Sequence, residues 1–88
     1  MNMRDLARAF LSGDPGKCHN ARTDGKVYWL HDSAICRYSN GVYVFDWCDH
    51  YTVTTASHMN EILEGYNGGM RVSYSVARDA GIKTFVVR

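Results

Sequence analysis

The stretch Ser33-Ala34-Ile35-Cys36-Arg37-Tyr38-Ser39-Asn40-Gly41-Val42-Tyr43-Val44-Phe45-Asp46-Trp47 carries β-branched and aromatic residues on both sides of an Asn-Gly pair. Both central positions of a type I′ turn need positive φ, which Gly adopts freely and Asn tolerates, so Asn40-Gly41 marks a tight hairpin. In that register Ser39 faces Val42, Tyr38 faces Tyr43, Cys36 faces Phe45 and Ala34 faces Trp47. Upstream, Val27-Tyr28-Trp29-Leu30-His31 has the same composition, and Asp32-Ser33 reads as the turn that joins it to the hairpin. His31 then faces Ala34, and Trp29 faces Cys36. Tyr51–Val53 reads as one more short strand.

This register sorts the side chains onto two faces. One carries Val27, Trp29, His31, Ala34, Cys36, Tyr38, Tyr43, Phe45 and Trp47; the other carries Tyr28, Leu30, Ile35, Arg37, Val42, Val44 and Asp46. Both are largely apolar, whereas an antiparallel sheet with one wet side shows clean alternation. Either a helix covers each face, or one face stays open for a partner or a second copy of the chain. The aromatic face, with small Ala34 and Cys36 beside large rings, has the composition of a packed core. The second face mixes Tyr28, Arg37 and Asp46 with aliphatics, as protein interfaces do, and if one face is open it is expected to be this one.

The flanks supply the helices. Met3, Leu6, Ala7 and Phe10 fall at helical spacing, with Asn2 as cap, Asp5 in the first turn and Gly13 with Pro15 as the stop. Residues 12–25 are dense in turn formers and read as a loop, long for so small a domain and thus a candidate functional segment. Beyond the sheet, Thr54-Thr55-Ala56-Ser57 offers several caps for a helix with Met59, Ile62, Leu63 and Tyr66 on one face; Gly65 and Asn67-Gly68-Gly69 read as its end. Val72, Tyr74 and Val76 alternate with polar residues, and Asp79-Ala80-Gly81 reads as a turn into a last strand over Ile82–Val87. The expected order is α-β-β-β-(β)-α-β-β. This is an α+β domain spanning residues 1–88, an antiparallel sheet with two short helices.

The chain has 88 residues, 45% of them hydrophobic, enough for one core and too few for two. Ten Lys and Arg oppose nine Asp and Glu, and the signs alternate, so no block of like charge forms the stripe that phosphate backbones require. No run is long and apolar enough to span a bilayer. Met1-Asn2-Met3-Arg4-Asp5 leads into an amphipathic stretch and not into a leader-like apolar run, and Cys18, Cys36 and Cys48 are odd in number. A reducing cytoplasm with free thiols is the expected setting.

Candidate chemistry is sparse. Zinc sites pair Cys-x₂₋₄-Cys or His-x₃₋₅-His, and Cys18-His19 and Cys48-Asp49-His50 fit neither spacing, so no metal is expected. Cys48 with His50 is a thiol and a base without an orienting third group. Asp46, Asp49 and His50 fit solubilising turn residues better than an acid–base or divalent-metal site. No catalytic residue and no cofactor are expected. The α-β-β-β-α order invites comparison with a double-stranded RNA-binding domain, but a second helix beginning Ser57-His58-Met59-Asn60-Glu61 lacks the lysines that would bridge phosphates. Thr52, Thr54 and Thr55 fit a strand end followed by a helix cap.

His19-Asn20 with Thr23-Asp24-Gly25, Leu30-His31 with Ile35, Thr52-Val53-Thr54-Thr55 and Met59-Asn60 together resemble small uncharacterised accessory proteins of tailed bacteriophages. Those proteins often read Leu-His-Gly, Ile-Ala, Thr-x-Thr-Thr and Leu-Asn at the corresponding places. Here Asp32 replaces the glycine, Cys36 the alanine and Met59 the leucine, and the likeness covers roughly residues 19–63. It implies a phage origin and a place in the host cytoplasm. Phage proteins of this size without enzyme motifs are commonly inhibitors that occlude a host or bacterial-defence protein, as anti-CRISPR proteins do. The resulting expectation is a protein-binding inhibitor that docks through Tyr28, Arg37, Asp46 and Asp49. A homodimer is an alternative use of the same face; a small nucleic-acid-binding regulator is the first alternative function, and a small enzyme using Cys48 and His50 or Asp46 and Asp49 is the second.

Overall fold

A computed structural model describes residues 1–88. Its order is α1 (Met3–Leu11), β1 (Gly16–Cys18), β2 (Ala21–Thr23), β3 (Val27–Leu30), β4 (Ser33–Ser39), β5 (Val42–Asp46), α2 (Val53–Asn67), α3 (Tyr74–Ala80) and β6 (Thr84–Val87). The six strands lie in sequence order in one antiparallel sheet, so the domain is α+β. No helix is long and apolar enough to cross a membrane.

The Asn40-Gly41 hairpin forms in the expected register, with Ser39 opposite Val42, Tyr38 opposite Tyr43 and Cys36 opposite Phe45. Both turn residues have positive φ. The preceding turn differs. Leu30 pairs with Ser33 and Trp29 with Ala34, so the turn is His31-Asp32, with His31 at φ 54°. A bulge between Tyr28 and Trp29 then brings Tyr28 opposite Cys36. The bulge leaves Ile35 as the extra residue of β4, and Ile35 and Cys36, adjacent in sequence, are both buried. Relative to the expected register, β3 and the first half of β4 are turned over. Tyr28, Leu30 and Ile35 face the core, while Val27, Trp29 and Ala34 face away. Burying aliphatics and a hydrogen-bonded tyrosine outweighs the turn preference of Asp32-Ser33.

All the helices pack on this one side. Phe10 of α1 meets the rings of Tyr28 and Tyr43 edge-on, at 5.7 and 5.6 Å between centroids. His58 of α2 meets Tyr28, Tyr66 meets Tyr43, and Ala77 of α3 joins the same core cluster. Gly65 does not end α2. It lies within the helix, where a Cβ would come within 2.8 Å of Leu11 Cδ1, so glycine permits the close crossing of α1 and α2. The helix stops at Gly68.

Three further segments differ from the sequence reading. Residues 12–25 hold the short β1–β2 hairpin, whose three-residue strands are too brief to show a period. Tyr51–Val53 is no strand, because Thr52 caps α2 by accepting from the Thr55 amide at 3.2 Å. The expected C-terminal hairpin is α3 followed by β6, with Ser73 as N-cap and Gly81 in the left-handed region at φ 68°. A cap, a short run of helix formers and a terminal glycine override the alternation of Val72, Tyr74 and Val76.

Candidate functional site

With every helix on one side, the opposite side of the sheet is open. Strand alternation places Val27 and Trp29 from β3, Ala34 and Arg37 from β4, Val42, Val44 and Asp46 from β5, and Thr84 and Val86 from β6 on it. None of these is buried, and Val86 is 57% exposed. Lys17 and Arg22 extend the face across β1 and β2. Lys17 and Arg22 therefore lie toward one edge of this largely apolar face, Arg37 sits in its middle between Val27 and Val44, and Asp46 is its acidic member near the end of β5.

Three of its side chains are held in place. The Arg22 guanidinium lies over the Trp29 ring at 4.7 Å and donates from Nη1 to the His31 carbonyl at 3.0 Å. This fixes a planar cation and an indole against the sheet in a packed arrangement that costs little further ordering on binding. Asp46 accepts from the Cys48 amide through Oδ1 at 2.8 Å, which orients its carboxylate at the end of β5.

The expected docking residues separate. Arg37 and Asp46 lie on the open face as expected. Asp49 is exposed just past β5, in a turn where both Cys48 and Asp49 have positive φ. Tyr28 is a correction: it is fully buried in the core, its hydroxyl 2.5 Å from His58 Nδ1, so it has no surface to offer a partner. The one-residue register change removes it and places Trp29 on the open face. The sequence reading missed Trp29 and Arg22. Both residues were visible, but their cross-strand pairing required β2, the strand next to β3, which the reading took as loop.

Cys48, the thiol next to His50 in the sequence reading, is held against the backbone of β4. Cys48 donates from Sγ to the Ala34 carbonyl at 3.4 Å, and burial, then the Asp46 carboxylate, push its thiol pKa up. A nucleophilic cysteine needs the opposite shift. All three thiols are free, and no three His, Cys, Asp or Glu side chains come together as a metal-binding group.

The residues behind the family likeness mostly have architectural work. Thr23 Oγ1 donates to the Val27 carbonyl at 2.6 Å and accepts from the Gly25 amide at 2.9 Å. Asp24 accepts from the amides of Lys26 and Val27. Thr52 and Thr55 form the α2 cap. Asn60 holds the Val72 backbone with paired bonds of 3.0 and 2.7 Å. In this chain these residues serve its turns and caps. Comparison of the chain with protein-family models, curated proteins and solved structures gives no match.

Proposed function

We propose that the chain is a phage-encoded, protein-binding inhibitor that uses the open face of its sheet to occlude a host or bacterial-defence protein, in the manner of an anti-CRISPR steric blocker. The observation that carries this reading is an uncovered, largely apolar sheet face that carries Arg37 in its middle and Lys17 and Arg22 toward one edge. The partner it fits is a protein surface with an apolar patch bordered by carboxylates, placed to meet Arg22 and Arg37. Trp29 and Arg37 are the expected anchors, since binding energy concentrates in such residues.

A second reading has one observation in its favour. Lys17, Arg22 and Arg37 with Trp29 also match the makeup of a single-stranded nucleic-acid platform. Arg22 already covers the Trp29 ring, however, and the rest of the centre is valine and alanine, which offer bases nothing to stack on. A protein partner fits this face better.

The test is affinity purification of the tagged chain from phage-infected cells, run beside Trp29→Ser and Arg37→Glu variants whose unfolding midpoints are measured. A partner retained by the parent chain and lost by both folded variants is the expected outcome. Equal retention by the variants would remove the open face from the reading. Salt-sensitive binding to oligonucleotides by gel shift would favour the nucleic-acid reading instead.

A further inference from the structure

The two edges of the sheet are built differently. At one edge β1 is only three residues long. Strand alternation leaves Lys17 as its one residue with outward N–H and C=O groups, and the Met1 side chain lies beside Gly16. A short edge with a lysine at its centre is poorly suited to pair with another strand. At the other edge β6 reads Thr84-Phe85-Val86-Val87, without charge, proline or glycine, and its register with β5 runs without a bulge. None of the usual guards against edge-to-edge pairing is present within this strand.

Hydrogen-bond accounting shows what the β6 edge offers. The Trp47 amide donates to the Lys83 carbonyl at 2.9 Å. By antiparallel alternation Phe45 with Phe85 and Tyr43 with Val87 are then the bonded pairs of β5 and β6. Thr84 and Val86 fall between them, so their N–H and C=O groups point away from the sheet. No other backbone or side-chain group of the chain takes them up, and both residues are exposed. The free run is bounded at Ile82, whose N–H donates to the Ala77 carbonyl and whose carbonyl accepts from the Tyr51 hydroxyl, both at 2.9 Å. Two outward donors and two outward acceptors, at strand spacing, are complementary to a strand and above all to their own copy.

We infer that β6 pairs antiparallel with β6 of a second copy of this chain, about a two-fold axis between the two Phe85 residues. Thr84 of each copy then exchanges both backbone bonds with Val86 of the other, which satisfies all four free groups per strand. The two Phe85 rings, each already stacked on Phe45, meet on the helix side, while Thr84 lies beside Val86 of the other copy on the open side. Lys83 faces Val87 and Arg88 faces Ile82, so no like charges oppose each other. Arg88 continues the alternation onto the open side, roughly 12 Å between Cα atoms from Asp46 of the other copy by strand spacing and rise, within reach of an arginine and a carboxylate. Asp46 uses only Oδ1 for the Cys48 amide. Centring the axis on Thr84 would set Val86 against Ile82, whose groups are engaged, and centring it on Val86 would need Arg88, beyond the end of β6.

The guarded β1 edge cannot continue the pairing head to tail, so the contact closes as a dimer and not as a filament. It leaves Trp29 and Val44 uncovered, and it does not rest on the inhibitor reading.

The experiment is sedimentation equilibrium of the full chain from about 10 µM to about 1 mM, with backbone-amide exchange followed by NMR at both ends of that range. One strand pair is a small interface, so a dissociation constant on the order of 100 µM is expected. The Thr84 and Val86 amides should exchange more slowly as concentration rises, while the Phe85 amide, already bonded to β5, stays slow throughout. Val86→Pro deletes two of the four intermolecular bonds without touching a bond within the fold, and should weaken association at least tenfold. Val86→Lys keeps the N–H but places like charges across the axis, and should weaken it similarly if the proline variant does not fold. Trp29→Ser should leave it unchanged. A chain that stays monomeric to the highest concentration, association that survives both Val86 substitutions, or association lost in Trp29→Ser would overturn the assignment. Protection of the Thr84 and Val86 amides only in the presence of the protein captured through the open face would also overturn it, by giving the edge to that protein.

Discussion

Phe45 and Val44 are neighbours on β5, and they belong to different worlds. Phe45 is 1% exposed and stacks on Phe85 with ring centroids 4.7 Å apart. Val44, one residue earlier, points to the open side and lies opposite Arg37 and Val86, without a helix above it. The same contrast runs across the whole sheet. Tyr28, Cys36, Tyr43 and Trp47 are sealed under α1 and α2, while Val27, Trp29, Ala34 and Val42 keep a side toward solvent. Both faces are apolar in composition, so hydrophobicity does not distinguish core from surface here; the placement of the helices does. An apolar face that folding leaves uncovered retains its capacity to bury surface against something else.

The largest expected effect lies on the covered face. Phe45→Ala removes a ring that is fully enclosed and leaves a cavity that the sheet and Phe85 cannot fill, at a cost of about 3–5 kcal/mol. A domain of this size has a total stability on the order of 5 kcal/mol, so the variant should unfold at very low urea or lack a cooperative transition at 25 °C. A cooperative transition shifted by less than about 1 kcal/mol would mean that the inner face is far less enclosed than its contacts imply.

The contrast also explains what the sequence could reveal. The Asn40-Gly41 hairpin was legible because its turn chemistry and its strand pattern agree. The choice between faces was legible only where that hairpin controls it: Arg37, Val42, Val44 and Asp46 lie on the open side as read, while Tyr28 and Trp29 exchange places. A single-residue slip inverts every side chain of a strand, and two signals of similar strength competed over the slip, the turn formers Asp32-Ser33 and the aliphatic pair Leu30 and Ile35. The bulge that settles it is a tertiary event, because Ile35 and Cys36 can both turn inward only when α2 provides something to pack against.

A smaller effect tests the polar contact inside the covered face. Tyr28→Phe keeps the ring and removes the hydroxyl that meets His58, leaving a buried ring nitrogen without its donor; the expected cost is about 1–2 kcal/mol by denaturant unfolding. The parent chain should show the same pair in its pH dependence. The folded pKa of His58 lies below its ordinary 6.5, so between that lowered value and 6.5 the unfolded chain binds more protons than the folded one. Stability is then full above about pH 6.5 and declines as the pH falls below it. The Asp24 carboxyl, held below 3.8 chiefly by the Val27 and Lys26 amides, loses its contribution only at still lower pH, so the His58 contribution is lost before it as the pH falls from 7 to 5. A flat profile across that interval would contradict the enclosed, neutral ring.

The smallest expected effect on stability is the sharpest test of the open face. Val44→Thr preserves shape and β-branching while replacing a methyl with a hydroxyl. In a sealed core that exchange is costly, because the hydroxyl loses water and finds no partner. On a face that water reaches, the hydroxyl stays solvated and threonine suits a strand as well as valine, so the shift should stay within about 0.5 kcal/mol. The partner captured through the face should nonetheless be held more weakly, because docking would bury that hydroxyl. Near-neutral stability with weakened capture separates a face kept open for a partner from one that is merely tolerated. A loss of 1 kcal/mol or more in the isolated chain would instead show that Val44 is already covered.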